Sequence, residues 1–333
     1  DFFAYNKATQ AKLQTGSVQK PLSVYAPAFE KGGLSPATVI PDLPLTYDGG
    51  AWPKNDSRVY NYSRTIFQGI VSSINAVSAN TLSRIGADTG FSFAKYNFQQ
   101  NYLVDSYVSS NGTPMSDIAI APLALGALTI GSTVREVTAA YATFANNGVI
   151  RTARTYTKVY DSDGKIVLDN QQESQQILSE KAVNYMNYCL YNAANNGTGT
   201  VAVFPGQNIA GKTGTTSSNR DRWFAGYTKY YTAAVWCGYN QPEQIYLTNN
   251  YQNPAGRLWK MVMQPIHNGL PNAALYNGNA FQNVNICLDS GKLATAACSA
   301  DVRGINRVVS VNCYPEDVPT EYCDKHVQVD YCV

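Results

Sequence analysis

The chain has 333 residues, a formal net charge of +2 and a charged fraction of only 14%. This length suits one large domain, alone or with a smaller appended one, and the nearly balanced charge argues against a nucleic-acid-binding protein. No apolar run reaches about 18 residues, so the sequence predicts no membrane-spanning helix. The chain begins at Asp1 without a recognisable signal peptide, and we expect a processed chain or a fragment of a longer protein.

A short strand from Phe2 is expected to lead through a loop into a helix that begins near Ser17. Gly16 breaks the preceding structure, and Pro21 fits the first turn of the helix. Ser17 and Lys20 are three positions apart, so their side chains lie on one helical face. A lysine whose pKa is lowered by burial or by a second cation can take the proton of a neighbouring hydroxyl. The pattern therefore predicts a nucleophile, Ser17, with Lys20 as its base.

The Ser-x-x-Lys pattern alone is weak evidence, because a chain of this length contains it about once by chance. It recurs at Ser92 to Lys95 and, within an obvious turn, at Ser162 to Lys165. The role of Ser17 therefore has to be judged together with the residues that follow it.

The segment over residues 31–56 is rich in proline and glycine, which exclude long regular elements there. Two helices are expected next, over residues 64–72 and 76–85, with a break between them. The break contains Ser73 and Asn75, whose hydroxyl and carboxamide can both face a cleft. A Ser-x-Asn pattern has little value as a signal when it stands alone.

Residues 118–194 are expected to form an apolar segment and two helices with a hairpin between them. Ser132 is expected to cap the first helix, and Asn147-Gly148 to end it. The hairpin is centred on Asp163-Gly164, and the second helix covers residues 180–194. The predicted buried stripe of the first helix consists of Val137, Ala140, Tyr141 and Phe144.

Three consecutive strands are then expected, over residues 209–216, 223–229 and 231–239. The first contains Lys212-Thr213-Gly214-Thr215. Because Gly214 has no side chain, an extended peptide can approach this strand closely and pair with it. Lys212 and the hydroxyls of Thr213 and Thr215 can hold a carboxylate. The alternative interpretation is an ordinary surface strand that contains a glycine.

A final helix is expected over residues 255–267, followed by a domain boundary between Leu270 and Gly278. Five of the seven cysteines lie beyond that boundary: Cys287, Cys298, Cys313, Cys323 and Cys332. The chain has no Cys-x-x-Cys or His-x-x-x-His spacing, so no metal site is expected, and disulfides formed outside the cytosol fit better. Cys287 and Cys298, which flank the Asp289-Ser290-Gly291 turn, are the best local candidates for a pair.

The Ser17-x-x-Lys20, Ser73-x-Asn75 and Lys212-Thr213-Gly214 motifs, in this order, resemble those of penicillin-binding proteins and class A β-lactamases. The chain is most similar to the transpeptidase domain of the bifunctional peptidoglycan synthases. Residues 139–148, 224–228 and 234–239 resemble a helix and two strands of that family. The resemblance covers residues 1–270, with Thr15-Gly16-Ser17 where the family often has Pro-Gly-Ser. The glycosyltransferase domain and the membrane anchor of the bifunctional type are not among residues 1–333.

The resemblance implies an α/β (α+β) fold of the penicillin-binding transpeptidase and serine β-lactamase type. Its central sheet is mostly antiparallel and is flanked by helices, with an additional helical subdomain. The implied domains are a transpeptidase domain over residues 1–270 and a Cys-rich, disulfide-bonded tail over residues 271–333.

The implied function is a D,D-transpeptidase that crosslinks peptidoglycan stem peptides through a serine ester. Its substrates end in D-Ala-D-Ala and belong to lipid II-derived glycan, and β-lactams acylate and inhibit it. The expected location is the extracytoplasmic face of the bacterial membrane, with membrane contact only through a missing N-terminal anchor. No cofactor, metal or nucleic acid is expected.

The resemblance also implies the catalytic roles of four residues. Ser17 attacks the substrate, and Lys20 takes its proton. Ser73 relays a proton to the leaving amine, while Lys212 tunes both amines by like-charge repulsion.

The implied binding residues surround the leaving group. Asn75 holds a substrate amide, and Lys212, Thr213 and Thr215 bind the terminal carboxylate beside Gly214. The oxyanion is bound by the backbone N–H groups of Ser17 and Thr215. Neighbouring strand residues point to opposite faces, so Lys212 and Thr213 can both serve only if the strand twists or the lysine stem curls back.

Several alternatives remain open within and outside this resemblance. A D,D-carboxypeptidase and a non-catalytic β-lactam sensor have the same fold. A β-lactamase is disfavoured, because Glu136, Glu173 and Glu180 lie between the second and third motifs and none precedes a Leu-Asn pair. A Ser-His-Asp hydrolase is disfavoured because the chain has only His267 and His326 and no Gly-x-Ser-x-Gly elbow.

Overall fold

The computed structural model describes residues 5–47, 49–247 and 253–327. The strand predicted from Phe2 begins outside the described residues, and Cys332 also lies outside them. The α-helices of the described residues are α1 Ala26–Glu30, α2 Ile66–Val71, α3 Asn75–Ile85, α4 Ala87–Ser92, α5 Ile120–Leu125, α6 Val134–Ala145, α7 Glu180–Asn195 and α8 Pro254–Ile266. None of these helices combines the length and the apolar character needed to cross a bilayer.

The strands pair antiparallel throughout the described ranges. They are β1 Val39–Asp42, β2 Leu45–Tyr47, β3 Gly50–Trp52, β4 Tyr62–Thr65, β5 Tyr107–Val108, β6 Pro114–Met115, β7 Val149–Arg151, β8 Lys158–Tyr160, β9 Ile166–Asp169, β10 Ser174–Gln176, β11 Ala210–Thr215, β12 Asp221–Tyr227, β13 Thr232–Gly238, β14 Gln282–Cys287 and β15 Val308–Cys313. The expected α/β fold with antiparallel pairing is therefore confirmed.

The central sheet has the order β11-β12-β13, which leaves β11 as an edge strand. Successive side chains of β12 alternate between two cores. Trp223 and Tyr227 belong to the main core with α6 and α7, whereas Phe224 packs against Trp259 of α8, ring centroids 5.1 Å apart. The sheet thus lies between two helical layers, and its free edge is the strand that carries the third motif.

Helix α7 is the centre of the main core. Ser179 caps it by accepting a hydrogen bond from the backbone of Ala182, and the helix packs against α1, α2 and β11. Tyr185, Met186 and Leu190 are fully buried, and burial of each apolar side chain contributes about 1.5–3 kcal/mol. Because β11 rests on this helix, the edge strand has a rigid support.

The predicted elements are confirmed in type, with differences at their ends. The helical segment near Ser17 starts as a 3₁₀ turn, Gly16–Val18, continues as the π-helical Pro21–Tyr25, and becomes regular only in α1. The helix expected from residue 64 begins at Ile66, because residues 62–65 form β4 and Thr65 caps α2. The hairpin around Asp163-Gly164 forms between β8 and β9.

The expected cap of α6 is wrong by one residue. Thr133, not Ser132, accepts the hydrogen bond from the Glu136 backbone, while Glu136 accepts one from the Thr133 backbone. A capping box requires the hydroxyl three positions before the acidic residue, which selects Thr133. Ser132 instead donates to Glu136 Oε2 at 2.9 Å. The predicted buried stripe of Val137, Ala140, Tyr141 and Phe144 is confirmed.

The region after α8 packs onto the rest of the molecule. Val284, Ile286 and Val311 of the β14–β15 hairpin belong to the main core, and Phe281 stacks on Tyr185. The division at residue 270 stays a prediction. These contacts with the main core hold the C-terminal region against the rest of the described chain.

The expected pairing of Cys287 with Cys298 is not formed. Both are free thiols, as are the other described cysteines, Cys189, Cys237, Cys313 and Cys323. The turn that suggested the pair places Lys292 opposite Cys287, whose backbone N–H donates to the Lys292 carbonyl at 2.9 Å. Cys298 lies beyond that pairing, in the 3₁₀ turn Ala296–Ser299.

Candidate active site

The nucleophile candidate Ser17 lies in the 3₁₀ turn that opens the first helical segment. Ser17 is partly exposed, whereas Gly16 and Val18 on either side of it are buried. The turn is fixed from behind: the Tyr141 hydroxyl on α6 donates to the Val18 carbonyl at 2.9 Å, and the Gly16 N–H donates to the Gly126 carbonyl at 3.2 Å. A buried backbone thus presents this serine to solvent.

A direct backbone contact joins the Ser17 turn to β11. A Cβ at Gly16 would lie 2.6 Å from the carbonyl oxygen of Thr215, and a Cβ at Gly214 would lie 2.6 Å from that of Thr15. Gly16 also has a φ of +55°, in the left-handed region that favours glycine. The two glycines allow the first and third motifs, far apart in the chain, to lie side by side.

Lys20 is fully buried, and its amine contacts the second motif. Its Nζ donates to the Ser73 carbonyl at 2.9 Å and to Asn75 Oδ1 at 2.6 Å, and lies 3.5 Å from Ser73 Oγ. Burial lowers the pKa of Lys20 well below its usual value, the Lys212 ammonium lowers it further, and the Asp56 carboxylate opposes both. A neutral amine has two N–H groups for these acceptors and a lone pair for a hydroxyl.

Lys212 reaches the same hydroxyl from β11. Its buried Nζ donates to Ser73 Oγ at 2.8 Å and to the Thr213 carbonyl at 3.2 Å. The contact with the Thr213 carbonyl means that the Lys212 stem curls back along its own strand. This is one of the two arrangements that would let Lys212 and Thr213 serve one site although neighbouring strand residues point to opposite faces. Burial lowers the pKa of Lys212 to about 7, so its charge changes near neutral pH.

Ser73 occupies the break between α2 and α3, as predicted. Its φ of +56° lies in the left-handed region, which is rare for a residue with a side chain and is often found at functional sites. The backbone is nevertheless paired, because the Ser73 N–H donates to the Ile70 carbonyl at 3.2 Å. This conformation places one hydroxyl between two lysine amines.

Asn75 is the first residue of α3, and both ends of its amide are engaged. Oδ1 accepts the bond from Lys20, and Nδ2 donates to the Lys54 carbonyl at 2.9 Å. Asn75 therefore fixes the position of the Lys20 amine. The substrate contact expected of Asn75 stays a prediction, and the second N–H of its amide is the group that can make it.

The hydroxyls of β11 have polar neighbours that the sequence did not predict. Thr213 Oγ1 lies 2.7 Å from Thr198 Oγ1, and Arg222 Nη1 donates to Thr215 Oγ1 at 3.0 Å. Arg222 pairs with Thr215 across the β11–β12 ladder, and its Nε is buried without a hydrogen-bond partner. A guanidinium beside two hydroxyls at the end of the strand can bind an anionic group.

The structure brings all eight predicted site residues to one region, and it adds four that no motif indicated: Lys54, Asp56, Thr198 and Arg222. Asp56 and Lys54 come from the proline-rich segment, where local patterns carry no signal for an approach to the second motif. Arg222 lay just before the second predicted strand, in its connection to the first, and it pairs with Thr215 because β12 begins earlier, at Asp221.

Two of the residues on which the rival interpretations depend, His267 and Glu136, have other contacts. His267 is buried, with Nε2 2.7 Å from Thr228 Oγ1 and Nδ1 2.6 Å from the Met263 carbonyl. Glu136 is held by the capping box of α6 and by the backbone of Asn101 at 3.0 Å. Neither side chain is free to act on Ser17.

Comparison with protein families gives two matches. The profile described as "Penicillin binding protein transpeptidase domain" matches residues 3–264. The profile described as "Penicillin-binding protein 1A, C-terminal domain" matches residues 281–328.

Curated relatives include penicillin-binding protein 1A of Clostridium botulinum, 32% identical over 98% of this chain and 39% of the relative. Penicillin-binding protein 1F of Bacillus subtilis is 32% identical over 78% of this chain and 35% of the relative. The chain thus spans about two fifths or less of the length of these relatives.

Solved structures with a similar fold include penicillin-binding protein 1A of Haemophilus influenzae, with a TM-score of 0.74 and 21% identity. That match covers 96% of this chain and 50% of the other. PonA1 of Mycobacterium tuberculosis in complex with penicillin V has a TM-score of 0.67 and 22% identity, and covers 82% and 74%. At such identities these similarities establish the fold alone.

Proposed function

The chain belongs to the family of penicillin-binding protein transpeptidase domains, and from this premise we propose that it is the D,D-transpeptidase part of a peptidoglycan synthase. The observation that carries the proposal is the meeting of Lys20, Lys212 and the Ser73 hydroxyl beside the Ser17 turn. Two buried amines with lowered pKa values provide a neutral base and a titratable cation in one site.

Acylation starts at Ser17. Neutral Lys20 takes the hydroxyl proton while Oγ attacks the carbonyl carbon of the penultimate D-Ala. The backbone N–H groups of Ser17 and Thr215 stabilise the oxyanion. The close approach of Gly16 to the Thr215 backbone supports this role, because it brings the two backbone segments together. The peptide C–N bond then breaks, and the terminal D-Ala leaves as an amine that receives its proton through Ser73.

The substrate lies along β11 as an added strand. The sheet order leaves this edge open to pairing. Gly214, expected from the sequence to admit the substrate backbone, instead makes room for the Thr15 carbonyl. The terminal carboxylate is held by Lys212, Thr213 and Thr215. We add Arg222 to this set, because it already donates to the Thr215 hydroxyl.

The acyl-enzyme is resolved by the amine of a second stem peptide, which forms the crosslink and regenerates Ser17. Hydrolysis by a glutamate-activated water is disfavoured, because Glu136 is engaged in the cap of α6. A β-lactam that acylates Ser17 should therefore stay attached. Because these substrates belong to the cell wall, the proposed reaction takes place outside the cytoplasm. The side chains named above supply its base, its nucleophile and its anion-binding groups.

Intact-mass spectrometry after incubation with benzylpenicillin tests the proposal. We expect one adduct per chain, mapped to Ser17 by peptide digestion, with a lifetime much longer than the time of acylation. Ser17→Ala should remove the adduct, and Ser162→Ala, in an exposed Ser-x-x-Lys turn, should retain it. An adduct at another residue, or rapid release of hydrolysed drug, would contradict the proposal.

A second assay separates the related functions. With a synthetic stem peptide that ends in D-Ala-D-Ala and an acceptor amine, a transpeptidase releases D-Ala and forms the joined product. Release of D-Ala without joining would indicate a carboxypeptidase. Stable acylation by penicillin with no release from the peptide would indicate a sensor.

A further inference from the structure

Four potential metal ligands from separate parts of the C-terminal region meet in one cluster. Cys287 ends β14, Cys298 lies in the 3₁₀ turn after it, and Cys323 and His326 come from the last described segment. One ligand atom of each lies within 4.8 Å of all the others. The Sγ atoms of Cys287 and Cys323 are 3.4 Å apart, and His326 Nδ1 lies 3.4 Å from the first and 3.5 Å from the second.

These distances match a tetrahedral site. A zinc ion with Zn–S bonds of about 2.3 Å and a Zn–N bond of about 2.0–2.1 Å separates its ligand atoms by about 3.6–3.8 Å. The sulfur atoms of Cys287 and Cys323 are too far apart for a disulfide, whose S–S bond measures about 2.05 Å. Cys287 and Cys298 are fully buried, and Cys323 is 8% exposed, so the cluster is enclosed.

The histidine is oriented as a metal ligand. His326 Nε2 lies 2.8 Å from Asp301 Oδ2 and 3.1 Å from Asp289 Oδ2. A carboxylate accepts a hydrogen bond, so Nε2 carries the proton and Nδ1 turns its lone pair towards the sulfurs. A carboxylate behind the histidine is the usual support of a zinc-bound imidazole.

Backbone groups support the sulfur atoms. The Thr295 N–H donates to Cys298 Sγ at 3.3 Å, and the Lys325 N–H donates to Cys323 Sγ at 3.4 Å. Such bonds stabilise the negative charge of a thiolate.

Cations surround the two carboxylates behind the histidine. Arg307 Nη2 lies 2.8 Å from Asp289 Oδ1, and Arg303 Nε lies 2.6 Å from Asp301 Oδ1. These two arginines balance the charges of the two carboxylates, so the four side chains add no net charge to the −1 of three thiolates and one Zn²⁺. The ion pairs hold in place the carboxylates that orient His326.

We propose that Cys287, Cys298, Cys323 and His326 bind one structural zinc ion. Three thiols lose their protons to solvent on binding, no electron is transferred, and four protein ligands leave no position open for catalysis. The sequence argued against such a site because it lacks Cys-x-x-Cys. The sequence signal was Cys323-x-x-His326, which the fold combines with two distant cysteines. The proposal does not depend on the proposed transferase activity.

The zinc would hold together the segments of the C-terminal region, which hydrogen bonds in turn join to the catalytic part. Arg307 Nη2 donates to Ser63 Oγ at 2.8 Å, and Ser63 Oγ donates to the Leu288 carbonyl at 2.5 Å. Ser63 belongs to β4, which leads through α2 to the second motif. Metal loss should therefore reduce the thermal stability of the chain.

Metal content tests the proposal. The chain is purified without chelator and analysed by inductively coupled plasma mass spectrometry, and we expect close to one zinc per chain. Cys298→Ser and His326→Ala should lose most of it. Cys313→Ser, a buried cysteine at the end of β15 that is outside the cluster, should retain it. Cobalt added to the metal-free chain should give the thiolate charge-transfer and tetrahedral ligand-field bands.

A second measurement uses the wild-type chain, so it tests the proposal even where a substituted variant fails to fold. Chelator should lower the thermal midpoint of the wild-type chain, and zinc, but not magnesium, should restore it. A wild-type chain without bound metal or cobalt bands overturns the proposal. A disulfide that joins any two of Cys287, Cys298 and Cys323 in non-reducing peptide maps of the purified chain overturns it as well.

Discussion

Lys20 and Lys212 converge on a single atom: their Nζ atoms lie 3.5 and 2.8 Å from Ser73 Oγ. Both amines are buried, and two positive charges so close to one another raise the free energy of the doubly protonated site. One amine is therefore neutral when the other is charged. The first can act as a base while the second attracts a carboxylate.

Loss of the base should slow acylation without unfolding the chain. Lys20→Met keeps the apolar stem, and we expect the rate of acylation of Ser17 by benzylpenicillin to fall about 10²–10⁴-fold. Stopped-flow or mass-spectrometric acylation rates measure it. Lys95→Met, in the Ser-x-x-Lys pattern that starts at the last residue of α4, is the matched control and should leave the rate unchanged. An equal loss in both variants would contradict the role of Lys20.

The pH dependence of acylation should respond to the charges near Lys20. A base must be neutral, so the rate rises as the pH passes upward through the pKa of Lys20. The Lys212 ammonium lowers that pKa, and Lys212→Met should move the rising limb to higher pH. Asp56 raises the pKa, so Asp56→Asn should move the limb to lower pH. Shifts in the same direction would rule out this electrostatic coupling.

Burial of Lys212 should lower the free energy of unfolding at pH values below the pKa of this lysine in the unfolded chain. Its folded-state pKa of about 7 lies below the value of about 10.4 in an unfolded chain. The unfolded state therefore binds more protons between these two values, and stability rises with pH across this range. Lys212→Met should raise the thermal midpoint near pH 7, and its advantage should shrink as the pH approaches 10. Thermal scans of both proteins against pH check this, and a constant difference would contradict it.

The contact between the Ser17 turn and β11 should not tolerate a side chain at Gly16. Gly16→Ala combines an unfavourable φ with a clash against the Thr215 backbone, and we expect a loss well above the ~1–2 kcal/mol of the φ penalty alone. Gly33→Ala supplies the control, because Gly33 has a φ of +62° and no atom within 4 Å of its added Cβ. Chemical unfolding and the yield of penicillin adduct measure both variants. Equal losses of stability in the two variants would mean that the structure relieves the clash between the added Cβ and the Thr215 backbone.

The hydrogen bond from Tyr141 to the Val18 carbonyl should stabilise the Ser17 turn. Tyr141→Phe leaves a buried carbonyl without its partner, which costs about 1–3 kcal/mol. Denaturant unfolding measures the loss. Tyr96→Phe removes the hydroxyl of an exposed ring and should change stability by much less.

Local pattern was sufficient for the longer helices, for the three strands of the central sheet and for the motif residues, but not for short elements such as α4 and β1 to β6. Helices such as α3 and α7 and the strands β11 to β13 have strong periodicity, and Ser17, Lys20, Ser73 and Lys212 stand in short motifs that chain order links. The sequence also indicated that the Lys212 stem had to bend or its strand to twist. In the structure it is the lysine stem that bends.

The features of the site that the sequence did not predict depend on contacts between segments that are far apart in the chain. Asp56 influences Lys20 because the proline-rich segment folds over the second motif, and no local pattern encodes that approach. The zinc ligands were missed for the same reason: Cys287 and Cys298 flank a turn, yet the backbone partner of Cys287 is Lys292. The third cysteine and the histidine arrive from the end of the described chain.

The contact of Gly16 with Thr215 has a consequence for inhibitor resistance. It is made by main-chain atoms, so a substitution at Thr215 cannot open the gap between nucleophile and edge strand. The Ser17 turn and β11 must therefore shift together. We therefore expect variants with weakened β-lactam binding to change side chains around the cleft, such as Thr198 or Arg222, and to leave these two backbone segments where they are.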